Sequence, residues 1–176
     1  MSRTGPTYNV AMVVIRYLAL TVLVVWLGGM IVLGLLVAPA TFGVLQSAAG
    51  DAGSGRMLAG AVFGEILRRF HFLAYGCGAI LLVCLLAMKF IGPPPAAFVP
   101  RIAIVALMLV LALYSGVPVT REIASIQAQV SGPMSSLPAT DARRARFDRL
   151  HSLSTTLMTI NIGLGLILLY WYVRES

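Results

Sequence analysis

The segment Arg146-Phe147-Asp148-Arg149-Leu150-His151-Ser152-Leu153-Ser154 sets a carboxylate and an imidazole one helical turn apart. From three residues away, Asp148 can orient the His151 ring and stabilise its charged form. Beyond His151, the residues Ser154, Thr155, Met158 and Asn161 recur in steps of three and four, so they share one helical face. Hydroxyl and amide groups in an apolar setting need partners, and that face must therefore look toward other helices. The plain reading is interhelical hydrogen bonding that fixes register. The sharper readings are a ligand, haem or metal site, or a conducting path.

The other histidine, His71, follows Arg69 at the start of a second apolar run. A haem or copper site, if the chain has one, would use His71 and His151, with Arg69, Asp148, Arg149, Ser154 and Asn161 as the surrounding polar cluster. Both rings are expected to point into the bundle or its polar head, with Asp148 hydrogen-bonded there. No cofactor is expected on the main reading. Cys77 and Cys84 lie two turns apart on one helix face, ~10 Å along the axis and too far for a disulfide. They read as packing residues, with a thiol metal site as the lesser alternative. The chain has no phosphate-binding glycine loop, no Ser/His/Asp arrangement, no CxxC and no HExxH. No acidic residue falls within an apolar run, which argues against an ion-driven transporter.

The elements that must position these groups are four uncharged stretches, 17–37, 70–88, 102–120 and 152–173. At ~1.5 Å rise per residue, about twenty residues cross a ~30 Å hydrocarbon core. Charged residues make up 11% of the chain, against about 25% in soluble domains. The expected fold is all-α, a single four-transmembrane-helix domain over residues 1–176 running antiparallel, up and down. The first run is too long for a signal peptide and is kept as a span.

Helical pattern outruns the apolar stretches. Leu58, Val62 and Ile66 recur every fourth residue, and Glu65 is placed to pair with Arg68 or Arg69. The second helix is thus predicted over about 55–88, capped by Ser54, and the fourth from about residue 142 to 173, capped by Thr140 or Asp141. Residues 48–55 and 131–138 read as loops, and the run Gly92-Pro93-Pro94-Pro95 as a stiff connector. Pro39 and Pro118 should kink or end their helices. Gly28, Gly29, Gly34, Gly60 and Gly64 are read as small residues that let helix backbones approach closely.

The net charge of +7 comes from basic residues scattered at span ends, which suits anionic lipid and gives no nucleic-acid signal. Arg56, Arg68, Arg69, Arg121, Arg143, Arg144, Arg146 and Arg149 fall on the side of the long loops; Arg3, Arg16, Lys89, Arg101 and Arg174 fall on the other. The bias predicts cytoplasmic long loops and both termini outside. The arginine-rich, Ala- and Gly-rich composition suggests a bacterial inner-membrane protein.

Trp26-Leu27-Gly28-Gly29, followed by Ala38-Pro39 and Phe42, resembles the first helix of the domain of unknown function 4149 family, the transmembrane protein 205-like proteins. Ala59-Gly60 with Phe63-Gly64, and Arg146-Phe147-Asp148-Arg149-Leu150-His151 with Ser154, resemble its later signatures. The resemblance implies a four-helix integral membrane protein and no particular reaction. A more distant similarity of the first helix reaches copper-resistance D proteins and the bacterial membrane protoporphyrinogen oxidase, which use membrane histidines for copper or haem. Here the first helix carries no histidine. The reading is a non-enzymatic membrane protein, an accessory subunit or partner-binding protein in contact with lipid and with other membrane subunits or its own copies.

Overall fold

The computed structural model describes residues 6–92, 95, 97–130 and 132–174. Arg3, Pro93, Pro94 and Ser131, which figured in the orientation and connector readings, lie outside the described residues. Six α-helices follow one another: α1 (Pro6–Val32), α2 (Ala38–Ala48), α3 (Ala52–Ile91), α4 (Phe98–Tyr114), α5 (Thr120–Ala128) and α6 (Ala142–Arg174). There is no strand among the described residues.

The two internal prolines do not end their helices. A proline has no N–H to give to the carbonyl four residues back, and its ring crowds that carbonyl. Here the chain answers with a wider π turn, Leu33–Val37 ahead of Pro39 and Ser115–Val119 around Pro118, and the helix resumes beyond. Thus α1 with α2, and α4 with α5, each form one long bent rod. Four rods are long and apolar enough to cross a membrane: Val10–Ala48, Gly53–Ile91, Phe98–Ala128 and Ala142–Arg174. Only 22–39% of each apolar window is buried inside the chain, so most of the hydrophobic surface faces outward, as suits helices that cross a membrane.

Contacts fix the direction of each rod. Between the first rod and α3, Gln46 lies by Gly55, Phe42 by Phe63, Gly29 by Phe70 and Trp26 by Gly78. Between α3 and the third rod, His71 lies by Gly116, Tyr75 by Ala112, Gly78 by Leu109 and Lys89 by Phe98. Numbers rise in one helix as they fall in the other, the register of antiparallel neighbours. The same holds for the third rod and α6, where Arg101 meets Trp171, Ser115 meets Ser154 and Glu122 meets Arg146. The first rod also packs on α6, so the bundle closes as a square with α3 and α6 on one diagonal.

Local chemistry sets the helix starts. Asp51, rather than the expected Ser54, caps α3: its Oδ1 accepts from the Ser54 amide at 2.8 Å. An aspartate three residues ahead of a free amide satisfies that amide from outside the helix, so the predicted loop shrinks to residues 49–51. Asp141 serves α6 likewise, accepting from the Arg143 amide at 2.8 Å. Both α3 and α6 outrun their apolar stretches at the N-terminal side, as the charge pattern predicts. The tightest packing fills one half of the bundle, where Leu23, Leu81, Leu85, Met108 and Leu168 are almost wholly buried.

Candidate functional site

At the other half, the diagonal pair α3 and α6 stand apart around a cavity of about 400 Å³. Its existence follows from which side chains are missing. α3 offers Gly60, Ala61 and Gly64 to it, and a Cβ built on either glycine would meet nothing within 4 Å. The reading of these two glycines as close-packing residues is therefore corrected: they leave space. A Cβ at Gly28 would likewise meet nothing within 4 Å. Gly29 and Gly34 differ, since a Cβ at Gly29 would overlap the Phe70 ring and one at Gly34 would touch the Met158 methyl at 3.4 Å. Spacing alone cannot separate these cases, because it does not say what stands opposite.

The α6 wall carries Phe147 and His151, then Ser154, Thr155, Met158 and Asn161, the last four being the stripe read from three- and four-residue steps. α3 contributes His71, so both histidines line one cavity. His71 is buried, with 8% of its surface exposed. Its Nδ1 lies 2.8 Å from the Leu67 carbonyl oxygen. A carbonyl can only accept, so Nδ1 carries the proton, and in the neutral ring Nε2 keeps its lone pair. The ring is wedged against Gly116, where a Cβ would overlap both it and the Tyr75 hydroxyl. Tyr75 in turn donates to the Ala112 carbonyl at 3.5 Å.

His151 is exposed at the rim and stacks on Phe147, with ring centroids 6.2 Å apart and planes 6° from parallel. That stacking takes the imidazole one turn back toward Phe147 rather than toward Asp148. Asp148 and Arg149 are exposed and carry no hydrogen bond or ion pair among the described residues. The expectation that Asp148 bonds within the cluster is overturned. Arg69 is also outside the cavity lining, tied to Glu65 at 2.8 Å, and Arg68 holds the same carboxylate at 2.7 Å.

The π turn of the third rod supplies Ser115, whose Oγ lies 3.2 Å from that of Ser154 and joins α6 to the rod. Asn161 closes the deep end. It is 4% exposed, and its Oδ1 has no hydrogen-bond partner among the described residues. Cys77 and Cys84 are buried in the packed half of the bundle and do not line the cavity. No group of three or more His, Cys, Asp or Glu side chains suited to a metal ion occurs among the described residues.

Sequence reasoning missed three placements, two beside the cavity and one outside it. Ser115 and Tyr75 enter only because α4 and α3 pack antiparallel in this register. Arg101, placed at the rim by its position, is 1% exposed in the packed half; it donates to the Trp171 carbonyl at 3.0 Å and lies 4.9 Å over the Tyr172 ring. A hint was available in the aromatic cluster at the end of α6, which can seat a guanidinium.

Among known families, the one described as Domain of unknown function (DUF4149) matches residues 21–131. This stretch includes His71 and Ser115 and stops before α6. No curated protein and no solved structure matches the chain.

Proposed function

The chain belongs to the domain of unknown function 4149 family, and from that premise we propose that it is a membrane protein that acts by binding: a non-enzymatic accessory or partner-binding protein whose α3–α6 cavity receives the molecule it handles. The observation that carries this reading is the cavity itself. It is about 400 Å³, within the range of small-molecule sites, and mostly apolar with a few convergent polar groups. Its one carboxylate, Glu65, is occupied by two arginines, which leaves no free acid to pair with a base for general acid–base work. The bacterial inner membrane, with the long basic loops in the cytoplasm, is the setting we propose for it. Lipid surrounds the bundle, and other membrane subunits or further copies are its proposed neighbours.

Native mass spectrometry of the protein in lipid nanodiscs tests the reading. A small molecule retained by the wild type and absent from a Gly60→Phe variant, whose ring would fill the cavity, is the expected result. An identical spectrum for the two proteins refutes it. A second reading, haem or copper held by His71 and His151, is favoured by the two imidazoles lining one space. A Soret band or stoichiometric copper that disappears in both His71→Ala and His151→Ala would select it.

A further inference from the structure

The Asn161 amide is the group the fold leaves unexplained. Other polar side chains along α6 are satisfied within the helix: Thr155, Thr156 and Thr159 each donate to the carbonyl four residues back, at 3.1, 2.9 and 3.0 Å. Asn161 makes no such bond, although it is more deeply buried than any of them. A buried amide without a partner is unfavourable, and such groups mark places where something else completes the bonding. Asn161 lines the cavity, so the completing group comes from there.

The remaining lining narrows the chemistry. A cation finds no free acid, because Glu65 is held by Arg68 and Arg69. An anion finds no free base inside, because Nε and Nη2 of Arg68 both face that same carboxylate. The occupant is therefore neutral. The walls are the rings of Trp26, Phe63, Phe70 and Phe147 and the thioethers of Met30 and Met158, surfaces that favour a flat unsaturated ring. Polar groups at its edge would meet three sites. The Asn161 amide both donates and accepts, the His71 Nε2 accepts, and the Ser115–Ser154 pair shares one bond between two hydroxyls. The cavity runs from Gln127 in the polar overhang to Asn161 within the apolar stretch of α6, so its occupant sits partly at the depth of the hydrocarbon and needs an apolar body.

Resting on the binding reading above, we propose that the α3–α6 cavity holds a lipid-soluble quinone or its hydroquinone, with a ring oxygen hydrogen-bonded to the Asn161 amide. The quinone carbonyl accepts from the amide N–H or from a serine hydroxyl. The hydroquinone O–H donates to His71 Nε2, while its oxygen accepts from the Asn161 amide N–H. The site thus has a partner for either form.

Trp26 in the cavity wall is a built-in reporter, and the second tryptophan, Trp171, lies in the opposite half of the bundle. In nanodiscs of the full chain carrying Trp171→Phe, menadione should quench Trp26 fluorescence saturably. Asn161→Leu should weaken that binding about tenfold, the loss of one hydrogen bond to a buried amide. Naphthalene, a ring without oxygens, should bind equally to both proteins. Gly64→Phe should abolish saturable quenching by menadione, and since its Cβ meets nothing, it keeps the test open if the Asn161 variant does not fold. Quenching that rises linearly with menadione, or the same affinity with and without Asn161, overturns the proposal. The mass-spectrometric test would still stand if a different molecule were retained, so the ligand class and the binding reading fail separately.

Discussion

Two glycines near the same cavity should respond in opposite directions to the same methyl group. At Gly116 a Cβ would overlap the Tyr75 hydroxyl and the His71 ring. Neither can move aside easily. The nearest His71 atoms are Cδ2 and Cγ, and Cγ sits one bond from its own Cβ; turning the ring breaks the 2.8 Å bond to Leu67. Overpacking of this kind destabilises by about 1–3 kcal/mol, and losing a buried hydrogen bond adds about 0.5–1.5 kcal/mol. Helix propensity returns at most about 1 kcal/mol when glycine becomes alanine. Gly116→Ala should therefore be net destabilising by roughly 1–3 kcal/mol. At Gly60 only the propensity gain applies, because its Cβ meets nothing within 4 Å. For a chain of this size 1 kcal/mol corresponds to about 2–4 °C in Tm. Thermal unfolding in detergent, followed by tryptophan fluorescence, should place Gly116→Ala roughly 3–10 °C below the wild type and Gly60→Ala level with it or slightly above. Equal losses at the two positions would refute the open cavity wall. No loss at Gly116 would refute the close approach of α3 and the π turn of the third rod around His71.

Three further outcomes follow from other parts of the fold. Arg101→Leu should destabilise the packed half by about 1–3 kcal/mol, since it removes the donor to one of the last α6 carbonyls, and Arg101→Lys should restore only part of that because its ammonium lacks the planar fork; the same unfolding assay reads it. The Asp141 carboxyl, outside the spans, is held down to about 2, first by the Arg143 side chain and then by its backbone amide, so its cap is fully present above 3.8 and is lost as pH falls through about 2. The Arg143 amide resonance in micelles should then titrate near the lower value, and a midpoint near 4 would remove the cap from the account. A cysteine placed at Ser135 should stay unlabelled by an impermeant maleimide on intact cells and react after permeabilisation, whereas labelling from outside would reverse the proposed orientation.

The four spans and the overhangs of α3 and α6 were legible because they depend on properties that a single helix carries alone: absence of charge over about twenty residues, and carboxylate–arginine pairs at three- and four-residue spacing. The cap of α3 was misplaced by three residues because Asp51 and Ser54 are both capable caps, and the choice rests on where α2 stops. The site divided the same way. Ser154 and Asn161 could be put on one face from spacing. Which glycine packs and which leaves room could not be read, because that depends on the residue standing across the interface. Phe70 faces Gly29, and nothing faces Gly60 or Gly64.

The misread residues are linked by one physical cause. Sequence spacing ranks Asp148, Arg149 and Arg69 beside His151 and His71, yet these charged groups turn to the exposed surface. Among the described residues, the charged groups of the cavity lining, Glu65 and Arg68, are paired with each other, and the polar groups deeper inside are neutral: Ser115, Ser154, Asn161 and an imidazole with its proton committed to Leu67. A charge drawn into that space would lose its hydration without a counter-charge to meet, whereas neutral donors and acceptors can be satisfied by a neutral guest. The segregation that makes the chain a stable membrane bundle thus also selects what the cavity can hold. Introducing a carboxylate there, as in Ser154→Asp, should on this argument disfavour a neutral ring and raise the carboxyl's own pKa, and menadione binding in that variant should weaken more at pH 8 than at pH 5. Equal weakening at both values would mean that the added group acts through its shape and not through its charge.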